Sequence, residues 1–240
     1  MFEYILFDLD GTLTDPKVGI TSCVQYALKS FEIEEADLDK LTPFIGPPLI
    51  DSYKEFYGLT DEQAQIGVEK YRERFSTTGW LENEIYPGMA DMLKALCDKG
   101  VKLAVASSKP EVFVEKILDH FQIREYFTVA AGASLDASRN DKKAVMRYAF
   151  ECLGILNRTE SVWDNKERKC YVTEAEKMKL SECNCAMVGD RKFDVEGAKE
   201  FGVVSVAVTY GYAPDGELED CEPDYIVNTV EELQELLMKR

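Results

Sequence analysis

The chain has 240 residues, 45% of them hydrophobic, and carries a formal net charge of −17 from 45 acidic and 28 basic residues. That length supports a sizeable core and either one domain or a domain with an inserted cap, while the acidity excludes broad binding to nucleic acid or anionic membrane, which needs clustered cations. No run is apolar enough to span a bilayer, Met1-Phe2-Glu3 leads into the first apolar segment without a basic leader, and seven cysteines with no Cys-x-x-Cys pair beside the single His120 favour neither a disulfide framework nor a zinc site. A cytoplasmic protein with reduced thiols is the expectation.

Tyr4-Ile5-Leu6-Phe7 is a short apolar run that ends at Asp8-Leu9-Asp10-Gly11-Thr12. It reads as a buried strand with Asp8 at its carboxyl end. Residues i and i+2 of a strand share a face, so Asp8 and Asp10 converge, and such a pair repels itself unless a cation or a proton relieves it. A turn residue followed by a helix cap accounts for the same two positions. Residues 15–86 then read as helices before the next strand: Ile20, Val24, Ala27, Leu28 and Phe31 share one helical face, and Thr60-Asp61-Glu62-Gln63 is a capping-box pattern ahead of Ala64, Val68, Tyr71 and Phe75. Some seventy residues exceed an ordinary strand-to-strand crossover, so the segment is expected to be an inserted helical domain. Within it, Gly46-Pro47-Pro48 reads as a rigid loop.

From Pro87-Gly88 onward strands and helices alternate. Met89, Met92, Leu93 and Leu96 mark a helix stopped at Gly100, and Lys102-Leu103-Ala104-Val105-Ala106 is a strand delivering Ser107-Ser108-Lys109-Pro110. Hydroxyls at a strand end suit phosphate oxygens, and they equally suit a turn with a helix cap. A helix follows Pro110, and Arg139-Asn140-Asp141-Lys142-Lys143 opens another with a group of cations. Residues 157–184 form a charged insertion, read as a hairpin flanked by Val162-Trp163 and Tyr171-Val172 and then a capping box at Thr173-Glu174-Ala175-Glu176. It enters the amino-terminal end of the next strand, away from the carboxylates, and receives no catalytic role. That strand, Cys185-Ala186-Met187-Val188, delivers Gly189-Asp190-Arg191-Lys192-Phe193-Asp194, with Asp194 on the first turn of a helix. A strand over residues 203–208, an edge strand at Tyr225-Ile226-Val227 and a helix capped at Thr229 close the chain. Repeated βα units imply a parallel sheet with helices on both faces. Two acidic loops at one sheet edge call for a cation, and oxygen-only ligands suit Mg²⁺.

Taken together, the segments around Asp8, Ser107, Lys142 and Asp190 resemble the haloacid dehalogenase superfamily of Mg²⁺-dependent phosphohydrolases, in particular its phosphoglycolate-phosphatase-like branch. Gly11-Thr12-Leu13-Thr14-Asp15, Ile45-Gly46-Pro47-Pro48-Leu49 and Asp194-Val195-Glu196-Gly197-Ala198-Lys199 extend the likeness through most of the chain. The resemblance implies an α/β fold: a Rossmann-like catalytic core over 1–14 and 87–240, and a mobile helical cap over 15–86 that closes on the phosphate and excludes water. It implies Asp8 as nucleophile, Asp10 as acid/base and Ser107 as the phosphate-binding hydroxyl. Lys142 is the neutralising amine, with Lys143 an adjacent competitor. Gly11, Thr12 and Ser108 join the phosphate site, and Asp8, Asp10 (through its carbonyl), Asp190 and Asp194 form the Mg²⁺ site. The expected substrate is a small phosphorylated metabolite, handled by a monomer or homodimer. A nucleoside 5′-monophosphatase and a phosphosugar mutase share this machinery; a receiver-like signalling module and a non-catalytic binding protein are the readings from other classes.

Overall fold

The computed structural model describes residues 1–134, 139–157, 163, 164, 169, 170 and 172–239. Two compact units divide the chain: one formed by Met1–Leu13 with Tyr86–Arg240, the other by Thr14–Ile85.

The larger unit begins with β1 (Tyr4–Phe7), whose Ile5, Leu6 and Phe7 are fully buried. A strand apolar on both faces belongs inside a parallel sheet with covered faces. The chain leaves for the second unit through β2 (Thr14–Asp15), α1 (Lys17–Lys29), α2 (Leu49–Tyr57), α3 (Asp61–Phe75) and β3 (Glu84–Ile85). It then continues through α4 (Met89–Asp98), β4 (Lys102–Pro110), α5 (Glu111–His120), β5 (Phe127–Ala133) and α6 (Lys142–Cys152). Next come the two-residue pair β6 (Trp163–Asp164) and β7 (Lys169–Cys170), then α7 (Glu174–Ser181), β8 (Cys185–Gly189) and α8 (Lys192–Phe201). The chain closes with β9 (Val204–Val208), α9 (Glu217–Asp220), β10 (Tyr225–Val227) and α10 (Val230–Lys239).

Six strands form one sheet in the order β10-β9-β8-β1-β4-β5, every neighbouring pair parallel. This is the doubly wound order, in which the chain reverses its direction of travel between β1 and β8. Phe7 is in register with Val105 of β4 and Val188 of β8, so the segments that follow all three strands emerge at one edge. On one face Leu6, Ala104, Ala106 and Met187 pack with Val145, Phe150 and Phe201 of α6 and α8. Burying each large side chain of this kind contributes about 1.5–3 kcal/mol.

The second unit contains the expected helices, with Ile20, Val24, Ala27 and Leu28 buried along α1 and Ala64, Val68, Tyr71 and Phe75 buried along α3. Thr60 and Gln63 make the capping box. Helices alone were the expectation for residues 15–86, whereas β2 and β3 pair as an antiparallel ribbon, Thr14 with Ile85 and Asp15 with Glu84. Two-residue strands are too short to carry a period in sequence. Behind the ribbon, Arg74 donates to both Glu82 oxygens at 2.6 and 2.9 Å, and Gly19 donates its amide to the Glu82 carbonyl.

In the 157–184 insertion, β6 and β7 pair antiparallel. The expected turn at 165–168 and the flanking Val162 and Tyr171 lie outside the described residues. The capping box of α7 forms at Thr173 and Glu176. Arg147 of α6 donates to both Glu176 oxygens at 2.7 and 3.0 Å, and Leu180 is buried in the core beside β8. The helix α7 of the insertion is therefore anchored to the core. Among the described residues no helix is long and apolar enough to cross a membrane.

Candidate active site

In a doubly wound sheet, the crevice outside the carboxyl ends of the strands at the reversal point is where ligands bind. Asp8 leaves β1 there, and Asp190 follows β8; the Asp8 amide donates to the Val188 carbonyl at 2.9 Å. The Asp8 Oδ1 accepts from the Leu9 amide at 2.7 Å. Asp8, Asp190 and Asp194 each offer a carboxylate oxygen within 4.8 Å of the others, all three buried.

Lys142 is the first residue of α6, whose start is fixed by Asp141 accepting from the Ala144 amide at 2.8 Å. Its ammonium lies 3.0 Å from Asp8 Oδ2 and 2.8 Å from Asp194 Oδ1, and donates to the Ala106 carbonyl at 2.9 Å. Lys143, the other candidate, pairs with Glu200 at 3.3 Å. Arg139 is likewise engaged away from the carboxylates, with Glu111 and the Gly132 carbonyl.

Asp194 sits at the third helical position of α8, where its Oδ2 accepts from the Arg191 amide at 3.1 Å. Asp190 is wholly buried: Oδ1 accepts from the Thr12 hydroxyl at 3.2 Å and Oδ2 from the Tyr212 amide at 2.8 Å. The Thr12 side chain is thus directed at Asp190, although the phosphate site was its expected place. Gly11 has φ +78°, and a Cβ there would overlap the Asp190 carboxylate. Only glycine combines that backbone conformation with so close an approach.

Asp10 takes a different partner from Asp8. Its Oδ2 lies 2.6 Å from the Lys109 ammonium at the end of β4, while its Oδ1 is buried without a hydrogen-bond partner. The Asp10 side chain is therefore outside the three-carboxylate cluster, although it was among the four expected metal-site residues. Ser107 is buried, and its hydroxyl oxygen accepts from the Lys109 amide at 3.3 Å; Ser108 is exposed.

Burial is the main influence on these acids. It pushes Asp190 well above the ordinary carboxylate range, reinforced by Asp194 and Asp8 and opposed by the Tyr212 amide. It also raises Asp194, against the pull of Lys142. Asp10 is raised by burial as well, with Lys109 opposing and Asp8 adding to the shift. For Lys142 burial works to lower the pKa, but Asp194 and Asp8 outweigh it and hold the amine charged. Three buried carboxylates against one ammonium leave negative charge in excess. An oxygen-only donor set of this charge and spacing fits a hard divalent cation such as Mg²⁺.

Several supporting residues were not anticipated. Arg191 donates to both Glu217 oxygens at 2.8 and 3.2 Å and so pins the Asp190 loop to α9. The Tyr210 hydroxyl donates to the Thr12 carbonyl at 3.0 Å, tying the loop after β9 to the loop after β1. Gly211 in that loop also lies where a Cβ would overlap Asp190. A glycine between two aromatics just past an apolar strand was the available signal for this loop. For Lys109 it was position alone, two residues beyond Ser107.

The family model described as haloacid dehalogenase-like hydrolase matches residues 5–163, and a HAD-hydrolase-like model matches residues 166–233. The chain belongs to the haloacid dehalogenase-like hydrolases. Among curated relatives of this hydrolase, a 5′-nucleotidase of Pseudomonas aeruginosa is 37% identical over 236 residues, covering 98% of this chain and 96% of its own. The tyrosine-protein kinase PtkA of Mycobacterium tuberculosis is 34% identical, covering 98% of this chain and 72% of its own. A phosphoglycolate phosphatase, that numbered 1 in P. aeruginosa, is 27% identical, covering 95% and 77%. The crystal structure of a predicted phosphatase from Clostridium acetobutylicum superimposes with a TM-score of 0.84 at 38% identity, covering 100% of both chains.

Proposed function

We propose that this hydrolase cleaves small-molecule phosphate monoesters through an aspartyl-phosphate on Asp8, with Mg²⁺ as cofactor. The observation that carries the reading is the division of labour between the two aspartates after β1: Asp8 is paired with Lys142, and Asp10 is held apart by Lys109 with one oxygen unpartnered.

In the first step a carboxylate oxygen of Asp8 attacks phosphorus as the bond from phosphorus to the ester oxygen breaks. The departing oxygen takes that electron pair and receives the proton of Asp10. In the second step water attacks phosphorus and gives a proton to Asp10, the bond between Asp8 and phosphorus breaks, and inorganic phosphate leaves. Lys142 pairs with Asp8 and orients it, and the Ser107 hydroxyl and nearby backbone amides receive phosphate oxygens. Asp8, Asp190, Asp194 and the Asp10 carbonyl would hold Mg²⁺, whose charge would offset that on the transferring group. Residues 15–86 are read as the inserted helical cap domain.

The 37% identity to a 5′-nucleotidase, against 27% to a phosphoglycolate phosphatase, puts nucleoside 5′-monophosphates ahead of phosphoglycolate as the first substrate class. The test is a panel of 5′-mononucleotides, phosphoglycolate and sugar phosphates, with inorganic phosphate release followed in Mg²⁺ and in excess chelator. Release from at least one ester, abolished by chelator and restored by Mg²⁺, is expected. Full activity in chelator, or transfer of phosphate to an acceptor in place of its release, contradicts the proposal.

A further inference from the structure

The two lysines at the sheet edge are not equivalent. Lys142 donates to the Ala106 carbonyl and pairs with Asp8 and Asp194. Lys109 meets Asp10 at 2.6 Å, with only 6% and 14% of the two side chains exposed. A buried ion pair is weak evidence for stability, since an apolar pair of similar volume packs as well without desolvating two charges. A pair kept at this depth between a strand end and a reacting loop points to a role in the reaction.

We propose that Lys109 is a positioning residue for proton transfer: its ammonium fixes Asp10 through Oδ2 and leaves Oδ1 as the oxygen that exchanges a proton with the departing group and with water. This rests on the reading of Asp10 as acid/base given above. Oδ1 is buried and has no hydrogen-bond partner, as a group awaiting a substrate atom must be. The Lys109 amide donates to the Ser107 hydroxyl oxygen. One residue of β4 therefore ties the proton donor to the phosphate hydroxyl, and the distance between them is set by a strand and not by a loop. Lys109 acts through Asp10, the carboxylate it meets at 2.6 Å.

The experiment is a double-mutant cycle of Lys109→Met and Asp10→Asn in excess Mg²⁺, with folding checked by circular dichroism. It reads kcat/KM for p-nitrophenyl phosphate, whose leaving group needs little protonation, and for glycerol phosphate, whose alkoxide needs it fully. Lys109→Met is expected to lower kcat/KM about a hundredfold for the alkyl ester, the scale of general-acid catalysis, and less than about fivefold for the aryl ester. In the Asp10→Asn background the same substitution should change either value by less than about twofold, because its target is gone. Lys109→Arg, which keeps the charge, should recover part of the alkyl activity. Should Lys109→Met fail to fold, Lys109→Gln gives the same cycle. Equal losses on both esters, or an undiminished loss in the Asp10→Asn background, overturn the proposal. A folded wild-type protein inactive on both esters and on the whole panel overturns the phosphatase reading itself.

Discussion

Replacing Asp190 by Asn should stabilise the metal-free protein while abolishing its response to Mg²⁺. Asp190 is wholly buried, and burial together with Asp194 and Asp8 raises its pKa. An acid whose pKa rises on folding binds more protons folded than unfolded, so stability falls as pH climbs from the ordinary carboxylate range through the folded value. Near neutral pH the charged form is a net cost. The hydrogen bonds from Thr12 and Tyr212 offset only part of that cost, and replacing an imperfectly compensated buried charge by a neutral group of the same shape gains about 1–3 kcal/mol. Asn can keep both contacts: its Oδ1 accepts from the Tyr212 amide, and its Nδ2 donates to the Thr12 hydroxyl, which rotates. For a chain of this size the gain corresponds to about 2–10 °C in Tm. Thermal melts in chelator and in Mg²⁺ read both effects, and the gap between variant and wild type should close as pH falls below about 4, where Asp190 becomes protonated in the unfolded chain as well as the folded one. A metal-free variant less stable than wild type by more than about 1 kcal/mol would refute the view that this cluster carries unbalanced charge.

Asp8→Asn keeps the shape of the side chain but removes the attacking charge, so phosphate release should fall to background while the circular dichroism spectrum and melt remain those of a folded protein. Arg147→Met should destabilise the fold by about 1–3 kcal/mol, because Glu176 loses a bidentate partner in a half-buried setting. The Arg147 pair holds the Glu176 carboxyl down to about 2. A depressed acid stabilises above its unfolded pKa and loses that contribution as pH falls through the folded value, so the difference between wild type and Arg147→Met should shrink in acid melts below about pH 4.5. A pH-independent difference would assign the effect to packing on Phe201 instead.

What the sequence made legible was what physical chemistry writes locally. The runs ending at Asp8, Ser107 and Asp190 were identifiable because a buried parallel strand is continuously apolar and its end is punctuated by glycine or polar residues. The caps at Thr60 and Thr173 were readable because a capping box closes within four residues. Contacts between distant segments were not. Nothing in the order of residues says that Tyr210 reaches Thr12, that Arg191 reaches Glu217, or that Thr12 turns to Asp190 and not toward a phosphate. The choice between Lys142 and Lys143 also needed three dimensions: adjacent residues of a helix point about 100° apart, and only the fold says which direction holds Asp8. The β2–β3 ribbon escaped because two residues carry no period.

The charge at the sheet edge predicts an order of binding. With Asp10 carrying the proton it donates, Asp8, Asp190 and Asp194 are opposed by Lys109 and Lys142, while Arg191 is matched by Glu217, so the ionised cluster still stands in negative excess. A phosphate monoester is itself a dianion near neutral pH, and the chain's net charge of −17 gives it no long-range attraction. Screening confines the relevant field to about 8–10 Å at physiological salt, so capture must be decided at the pocket. There, two like-charged partners repel at short range with little water to shield them. A bound divalent cation would offset that excess and let the Ser107 hydroxyl act on the phosphate. Inorganic phosphate should therefore raise the Tm only when Mg²⁺ is present, and Mg²⁺ should raise it alone. By linkage the two together should exceed the sum of their separate shifts. Protection by phosphate in chelator equal to that in Mg²⁺ would show that the lysines suffice to hold the anion, and that the excess negative charge inferred here is not felt by the ligand.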